Sequence, residues 1–280
     1  RYRVGNAPLI EFEESHSHAP RQFLHLPADP VLRQRFLSAR SLVLVDDEAS
    51  TGNTFMNLAD ACRQWSPRLK RAHLATITDF MGDAVRIGLS ERFGLRVSLG
   101  AALRGEFTFT PKHDLLDRFK DQPTAQAFDP DAERGASKNF GRLGVARKLG
   151  VPAAMADRLA AEIGEQEDTL VLGTGELMHP AFLLARELAQ RGRSVFVQAS
   201  TRSPILQWGA VEHVMRFPDN YGEGLDNYLY NVSPDQYQHV LICHETPANA
   251  ALHQLAALTG GRLFHFRTEC DVEEISVRGS

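Results

Sequence analysis

The chain reads as an α/β protein made of two parallel-sheet units, the first of them incomplete on its N-terminal side. Three observations lead there. Short apolar runs alternate with helical patterns along most of the sequence, the arrangement that sets parallel strands between crossover helices. Hydrophobic residues make up 43% of the 280, enough for one large or two modest cores. An order of features also recurs: a basic turn, a long polar loop, an apolar strand ending in polar or acidic residues, then a helix. It runs once through residues 1–65 and again through residues 202–258.

The elements follow in order. Residues 12–18, Phe-Glu-Glu-Ser-His-Ser-His, are too polar for a core strand and read as a loop. Residues 42–45 are Leu-Val-Leu-Val, a buried strand that runs straight into Asp46, Asp47 and Glu48. The turn Ala49-Ser50-Thr51-Gly52 then opens a helix over 53–65. A strand is expected at 73–78, a helix at 83–93 and a strand at 96–99. Residues 111–150 hold Pro111, Pro123 and Pro130 among many charges, so they read as a linker with a short helix. That gives a first domain over 1–110, a linker over 111–150 and a second domain over 151–280.

The second domain predicts a helix at 153–163, a strand at 169–172, the turn Gly173-Thr174-Gly175-Glu176, a helix at 181–190 and a strand at 195–199. Thr201-Arg202-Ser203-Pro204 follows, then a polar loop at 220–223, a strand at 240–243, a helix at 248–258 and a strand at 262–266. In the recurring order Arg1-Tyr2-Arg3 stands against Arg202-Ser203-Pro204. Residues 41–48 stand against residues 239–246, which sets Asp46 opposite His244. The strand–helix–strand of residues 169–200 then has its counterpart upstream of Arg1, a position where the chain carries no initiating Met.

Residues 42–54 carry the chemistry. A helix start offers backbone N–H groups and the positive end of the macrodipole to an anion. Carboxylates beside such a cradle can accept hydrogen bonds from sugar hydroxyls or hold Mg²⁺. The stretch resembles the phosphoribosyl pyrophosphate (PRPP) signature of type I phosphoribosyltransferases: apolar strand, acidic pair, short spacer, Ser/Thr-Gly-x-Thr turn. The resemblance implies Rossmann-like, phosphoribosyltransferase-like units. It places Asp46 and Asp47 along the ribose hydroxyls and on Mg²⁺, and Ser50, Thr51, Gly52, Asn53 and Thr54 around the 5′-phosphate. Glu48 and Ala49 stand where the family has apolar residues, so Glu48 marks a further metal contact or a shifted acceptor site.

The remaining candidates are placed by position. Gly173-Thr174-Gly175 resembles the family's pyrophosphate loop, and Arg202 stands where the fold sets a pyrophosphate ligand. Arg1 and Arg3 take the same place in the first copy. His16 and His18 lie in the counterpart of the mobile loop that closes over the site and excludes water. Residues 134–142, with three cations among small residues, could clasp a phosphate or dock a domain. The second copy has lost the signature: His244-Glu245-Thr246-Pro247 replaces the acidic pair and the Thr-Gly turn.

The tetrapeptide Thr201-Arg202-Ser203-Pro204 resembles the namesake motif of the TRSP domain, which follows a phosphoribosyltransferase domain in proteins encoded with bacterial tellurium-resistance genes. Together the resemblances imply an enzyme that transfers ribose 5-phosphate from PRPP to a small acceptor and releases pyrophosphate. A non-catalytic module that senses PRPP or a nucleotide is the alternative. An aspartyl nucleophile at Asp46 is disfavoured by the absence of a D-x-D spacing.

Composition sets the surroundings. A net charge of −4 gives no general pull toward nucleic acid or anionic membrane. Cys62, Cys243 and Cys270 lie far apart with no CxxC spacing, as expected of reduced thiols in a cytoplasmic protein. No apolar run approaches the roughly 20 residues that span a bilayer. The expected partners are small molecules, with a homodimer left open.

Overall fold

The computed structural model describes residues 4–13, 21–108, 110, 140–146, 148–222, 224–268 and 270–275. These fall in two compact units, one over residues 6–121 and one over residues 122–280 together with Val4 and Gly5.

The first unit starts with an antiparallel hairpin, β1 (Leu9–Glu13) and β2 (Arg21–His25). Helix α1 (Pro30–Leu37) follows, with Pro30 in its first turn and the Asp29 carboxylate accepting from the Val31 and Leu32 N–H groups. Three parallel strands then alternate with two helices: β3 (Ser41–Ala49), α2 (Asn53–Trp65), β4 (Arg71–Asp79), α3 (Asp83–Phe93) and β5 (Arg96–Arg104). Phe55, Ala59 and Cys62 recur at helical spacing on α2 and are buried with Leu89 and Phe93 of α3 against Leu44 and Leu74 of the sheet. Gly94 ends α3 in the left-handed conformation at φ 55°, which a glycine adopts without a Cβ penalty.

That packing covers one face of the sheet. On the other face Val43, Val45 and Ile77 are 62%, 78% and 63% exposed. The strand order is β3-β4-β5, so β3 lies at an edge among the described residues.

The second unit is covered on both faces. Its elements are α4 (Ala153–Glu162), β6 (Thr169–Gly173), α5 (Met178–Gln190), β7 (Val195–Ala199), a hairpin of β8 (Val214–Pro218) and β9 (Asp226–Tyr230), β10 (His239–His244), α6 (Ala250–Thr259), β11 (Arg262–Phe266) and β12 (Val272–Ile275). The sheet order is β12-β11-β10-β6-β7, parallel except for β12. Alternate residues of each strand feed two cores. Val171, Leu241, Cys243, Phe264 and Phe266 pack with α4 and α5. Leu170, Leu172, Val240, Ile242 and Leu263 pack with α6 and the hairpin. Double coverage is why β6 and β10 read as continuous apolar runs.

The recurring order of the sequence is visible in both units. β3 and β10 each follow an antiparallel hairpin, and each pairs in parallel with the strand reached through one helix. The matched registers are Val45 with Ala75 and Cys243 with Phe264. The units differ at three places. β10 also pairs with β6, helix α1 has no counterpart ahead of β10, and β5 is parallel to its neighbour where β12 is antiparallel.

Several elements extend beyond the sequence expectations. β3 continues through the acidic triplet to Ala49, β5 reaches Arg104, and α5 opens at Met178. β8 and β9 bury Phe217 and Leu229 in the core, whereas the β1–β2 hairpin, α1 and β12 carry no strong apolar pattern. Ladder hydrogen bonds, caps and ion pairs hold them, including Glu274 of β12 on Arg262 at 2.7 Å. The expected short helix of the linker lies outside the described residues.

Candidate functional site

The strand end of β3 meets the start of α2. Asp46 is half-buried, and its Oδ1 accepts from the Asp47 N–H at 3.0 Å. Asp47 and Glu48 are exposed. Leu44 and Ala49 are buried in the same core although an odd number of residues apart, so the alternation of β3 is interrupted at the acidic triplet. The buried Ala49 closes the strand, and its carbonyl accepts from the Phe80 N–H at 2.8 Å, which ties the ends of β3 and β4 together.

Gly52 is the N-cap of α2 and lies in the left-handed region at φ 74°. Having no side chain, it makes no side-chain cap bond to the start of α2. Ser50, Thr51 and Thr54 are exposed around it, and the Asn53 N–H is 3.3 Å from Thr51 Oγ1. Below the turn, Met81 Sδ and Leu89 Cδ2 lie 3.4 Å from where a Cβ on Gly52 would sit.

Two arginine clusters that the sequence reading did not assign support this edge. Arg92 of α3 donates through Nη1 to the Thr51 carbonyl at 2.9 Å and through Nη2 to Asn53 Oδ1 at 2.7 Å. The Asn53 side chain is therefore turned toward Arg92 rather than toward a phosphate. Asp79, buried at the end of β4, accepts from the Met81 N–H at 2.9 Å and from Arg86 Nε at 2.8 Å, with Arg104 Nε at 3.6 Å. No local spacing announces either contact, since Arg92 lies 39 residues from Asn53.

For Mg²⁺, no group of three or more His, Cys, Asp or Glu residues able to hold a metal occurs among the described residues. The donor set fits Mg²⁺ as that ion is commonly bound, through one or two carboxylates with substrate oxygens and waters completing the octahedron. It does not form a cage of protein ligands. Arg1, Arg3, His16 and His18 lie outside the described residues.

The second unit answers the same positions differently. β6 leads through α5 to β7 on one side, and β10 leads through α6 to β11 on the other. The chain therefore diverges between β6 and β10, the crevice where open α/β sheets bind ligands. Gly173 is a buried strand residue, and a Cβ there would come 2.7 Å from the Leu177 carbonyl. Thr174 is buried with its hydroxyl 3.3 Å from the Cys243 carbonyl. Both are enclosed, and the Thr174 N–H donates to the Cys243 carbonyl at 3.0 Å. Gly175, at φ 53° and pressed against Tyr221, and Arg202 are half-buried. The Gly175 N–H donates to Ser200 Oγ at 2.9 Å, joining the turn to the end of β7.

Glu245 takes the place of Asp47, and its carboxylate is occupied from within. Arg142 holds it in a fork at 2.9 and 2.8 Å, and Tyr221 donates to it at 2.9 Å. Burial pulls the Arg142 guanidinium pKa down, but the bonds and charge of Glu245 outweigh it and the net shift is upward. Arg142 belongs to the basic stretch that stood out in the sequence, and what it clasps is a carboxylate of its own unit. His244, opposite Asp46, is buried, bonds the Thr246 carbonyl through Nδ1 at 2.8 Å and stacks on His265 at 5.2 Å. Helix α6 is capped by Asn249, which accepts from the Leu252 N–H at 3.1 Å.

Residues 1–106 match the family described as phosphoribosyl transferase, and residues 140–259 match the one described as TRSP domain C terminus to PRTase_2. The two follow the order read from the sequence. No curated protein and no solved structure gives a match. No helix among the described residues is long and apolar enough to cross a membrane.

Proposed function

We propose that this chain, a phosphoribosyl transferase domain followed by a TRSP domain, moves ribose 5-phosphate from PRPP to a small acceptor in its first unit. The observation that supports the reading most is the junction of β3 and α2. There a carboxylate row and a glycine-led helix start share one strand end.

In this reading the α2 start and the Thr51 and Thr54 hydroxyls seat the 5′-phosphate, and Asp46 and Asp47 accept from the ribose hydroxyls. The acceptor's lone pair forms a bond to C1 as the C1–O bond to pyrophosphate breaks. Pyrophosphate leaves with that electron pair, and C1 passes through an oxocarbenium-like state. Mg²⁺, when bound, supplies charge neutralisation on the departing pyrophosphate. The residues themselves position and exclude, which is where much of such a rate enhancement arises. Glu48, exposed beside the pair, is available to a second face of the ligand.

The test is pyrophosphate release from PRPP and Mg²⁺ by the full chain over a panel of nucleobases and small amines, with Asp46→Asn/Asp47→Asn as control. Acceptor-dependent release lost in the control supports transfer. Tight PRPP binding with no release under any acceptor favours a PRPP-sensing module instead. Absence of PRPP binding defeats both.

A further inference from the structure

We infer that Arg92 is a positioning residue for the phosphate turn, a latch that fixes the direction in which residues 51–53 present their N–H groups. The inference rests on the PRPP reading of that turn and adds a residue that nothing in the signature contains.

The latch begins with its own anchorage. Arg92 lies in the last turn of α3, between Leu89 and Phe93, which are both buried in the core of the unit. Leu89 also supports Gly52 from beneath. The base of the arginine is therefore held by the same packing that carries the turn. Its guanidinium then reaches across the turn and takes two groups that flank Gly52: the Thr51 carbonyl at 2.9 Å and Asn53 Oδ1 at 2.7 Å.

The consequence follows from peptide geometry. A trans peptide is planar, so the carbonyl of one residue and the N–H of the next point in opposite directions. Holding the Thr51 carbonyl on Arg92 turns the Gly52 N–H to the far side of that plane, away from α3. The left-handed backbone of Gly52, φ 74°, is the conformation that lets the chain pass from this peptide into α2. Glycine alone would leave the turn free to adopt other conformations at little cost. Two charge-assisted bonds from one planar fork fix it. The guanidinium also adds a positive charge beside a helix start whose macrodipole already favours anions.

Arg92 is itself exposed, so its replacement removes no core volume. The expected signature is loss of affinity for the 5′-phosphate with the fold intact. The full chain is titrated by calorimetry with PRPP, ribose 5-phosphate and Mg-pyrophosphate. Arg92→Gln should weaken PRPP and ribose 5-phosphate about tenfold or more, since bonds to a charged group are lost, and leave Mg-pyrophosphate unchanged. Arg92→Lys, which keeps the charge without the fork, should lose only about two- to fivefold.

Asn53→Ala removes the other end of one arm and should reproduce part of the Arg92→Gln loss. Combined with Arg92→Gln it should add little, because the two act through one contact. Full additivity, an unchanged affinity in Arg92→Gln, or equal losses for all three ligands overturns the latch while leaving the PRPP site standing. Failure of the unsubstituted chain to bind PRPP and ribose 5-phosphate overturns the PRPP reading and the latch with it.

Discussion

Replacing Arg142 by methionine tests how the second unit closes its strand end. The side chain of Glu245 is 1% exposed and that of Arg142 18%, and two bonds of 2.8 and 2.9 Å join them. Removing one partner of a buried pair costs about 3–5 kcal/mol, because the remaining charge is left without compensation. Tyr221 keeps its bond to the carboxylate at 2.9 Å and offsets part of that loss. The expected destabilisation is therefore about 2–4 kcal/mol. For a unit of this size each kcal/mol moves the midpoint by about 2–4 °C, so the calorimetric transition of the second unit should fall by about 5–15 °C. Glu245→Gln keeps the shape and leaves a partly hydrated guanidinium, so it should cost less. The double variant should recover at least about 1 kcal/mol relative to the sum of the singles. PRPP should still raise the midpoint of the first unit in every variant. A shift below about 2 °C in Arg142→Met, or additive singles, would refute the claim that a buried, mutually dependent pair fills this position.

The other expectations can be checked more briefly. Asp46→Asn with Asp47→Asn should abolish PRPP and ribose 5-phosphate binding by calorimetry while leaving the circular dichroism spectrum unchanged, since Asp47 is exposed and Asp46 half-buried; retained affinity removes the ribose assignment. Thr51→Val should weaken 5′-phosphorylated ligands by about one to two decades, the worth of a hydrogen bond to a charged group, and equal weakening of ligands lacking the phosphate would contradict the cradle. Burial pushes the Cys62 thiol up to about 11 and the Cys243 thiol further, whereas Cys270 is exposed. A thiol reagent at pH 8 should therefore label one of the 3 cysteines in the native chain and all of them in urea; early labelling of Cys243 would mean that β10 opens readily.

What was legible in the sequence follows from how each element is held. Helices α2 and α3 show their bounds because a buried stripe and a glycine-marked end both lie within the segment. β6 and β10 are legible because both faces are covered, which demands unbroken apolar residues. β3 is a harder case. Its acidic end continues as strand because the ladder to β4 runs on to the pair Ala49–Asp79, and backbone pairing is indifferent to side-chain charge. The first hairpin is not legible for the converse reason: β1 and β2 pair by ladder bonds, and the side chains of residues 9–12 and 22–24 are mixed and partly exposed, so no period stands out. Within the site, the residues of the signature itself could be read from their spacing. Arg92, Asp79 and the Arg142–Glu245 pair could not, because their partners are set by tertiary folding; Arg142 lies 103 residues from Glu245.

The two strand ends represent opposite solutions to one structural problem. A helix start leaves N–H groups that need an acceptor. In α6 the chain supplies it: Asn249 caps the first turn, and Pro247 shortly before it has no N–H to offer. A side-chain cap of that kind is worth about 1 kcal/mol, so closure stabilises the second unit. The neighbouring carboxylate is likewise satisfied by Arg142 and Tyr221. In α2 the cap position is Gly52, which supplies no acceptor, and the neighbouring Asp47 and Glu48 are exposed. At the α2 start the Asn53 N–H is met instead by Thr51 Oγ1 at 3.3 Å, a long contact at the turn where the proposed site seats a phosphate. That asymmetry within a shared order of hairpin, strand and helix supports the proposal that PRPP binds the first unit, while the second has an internally closed strand end.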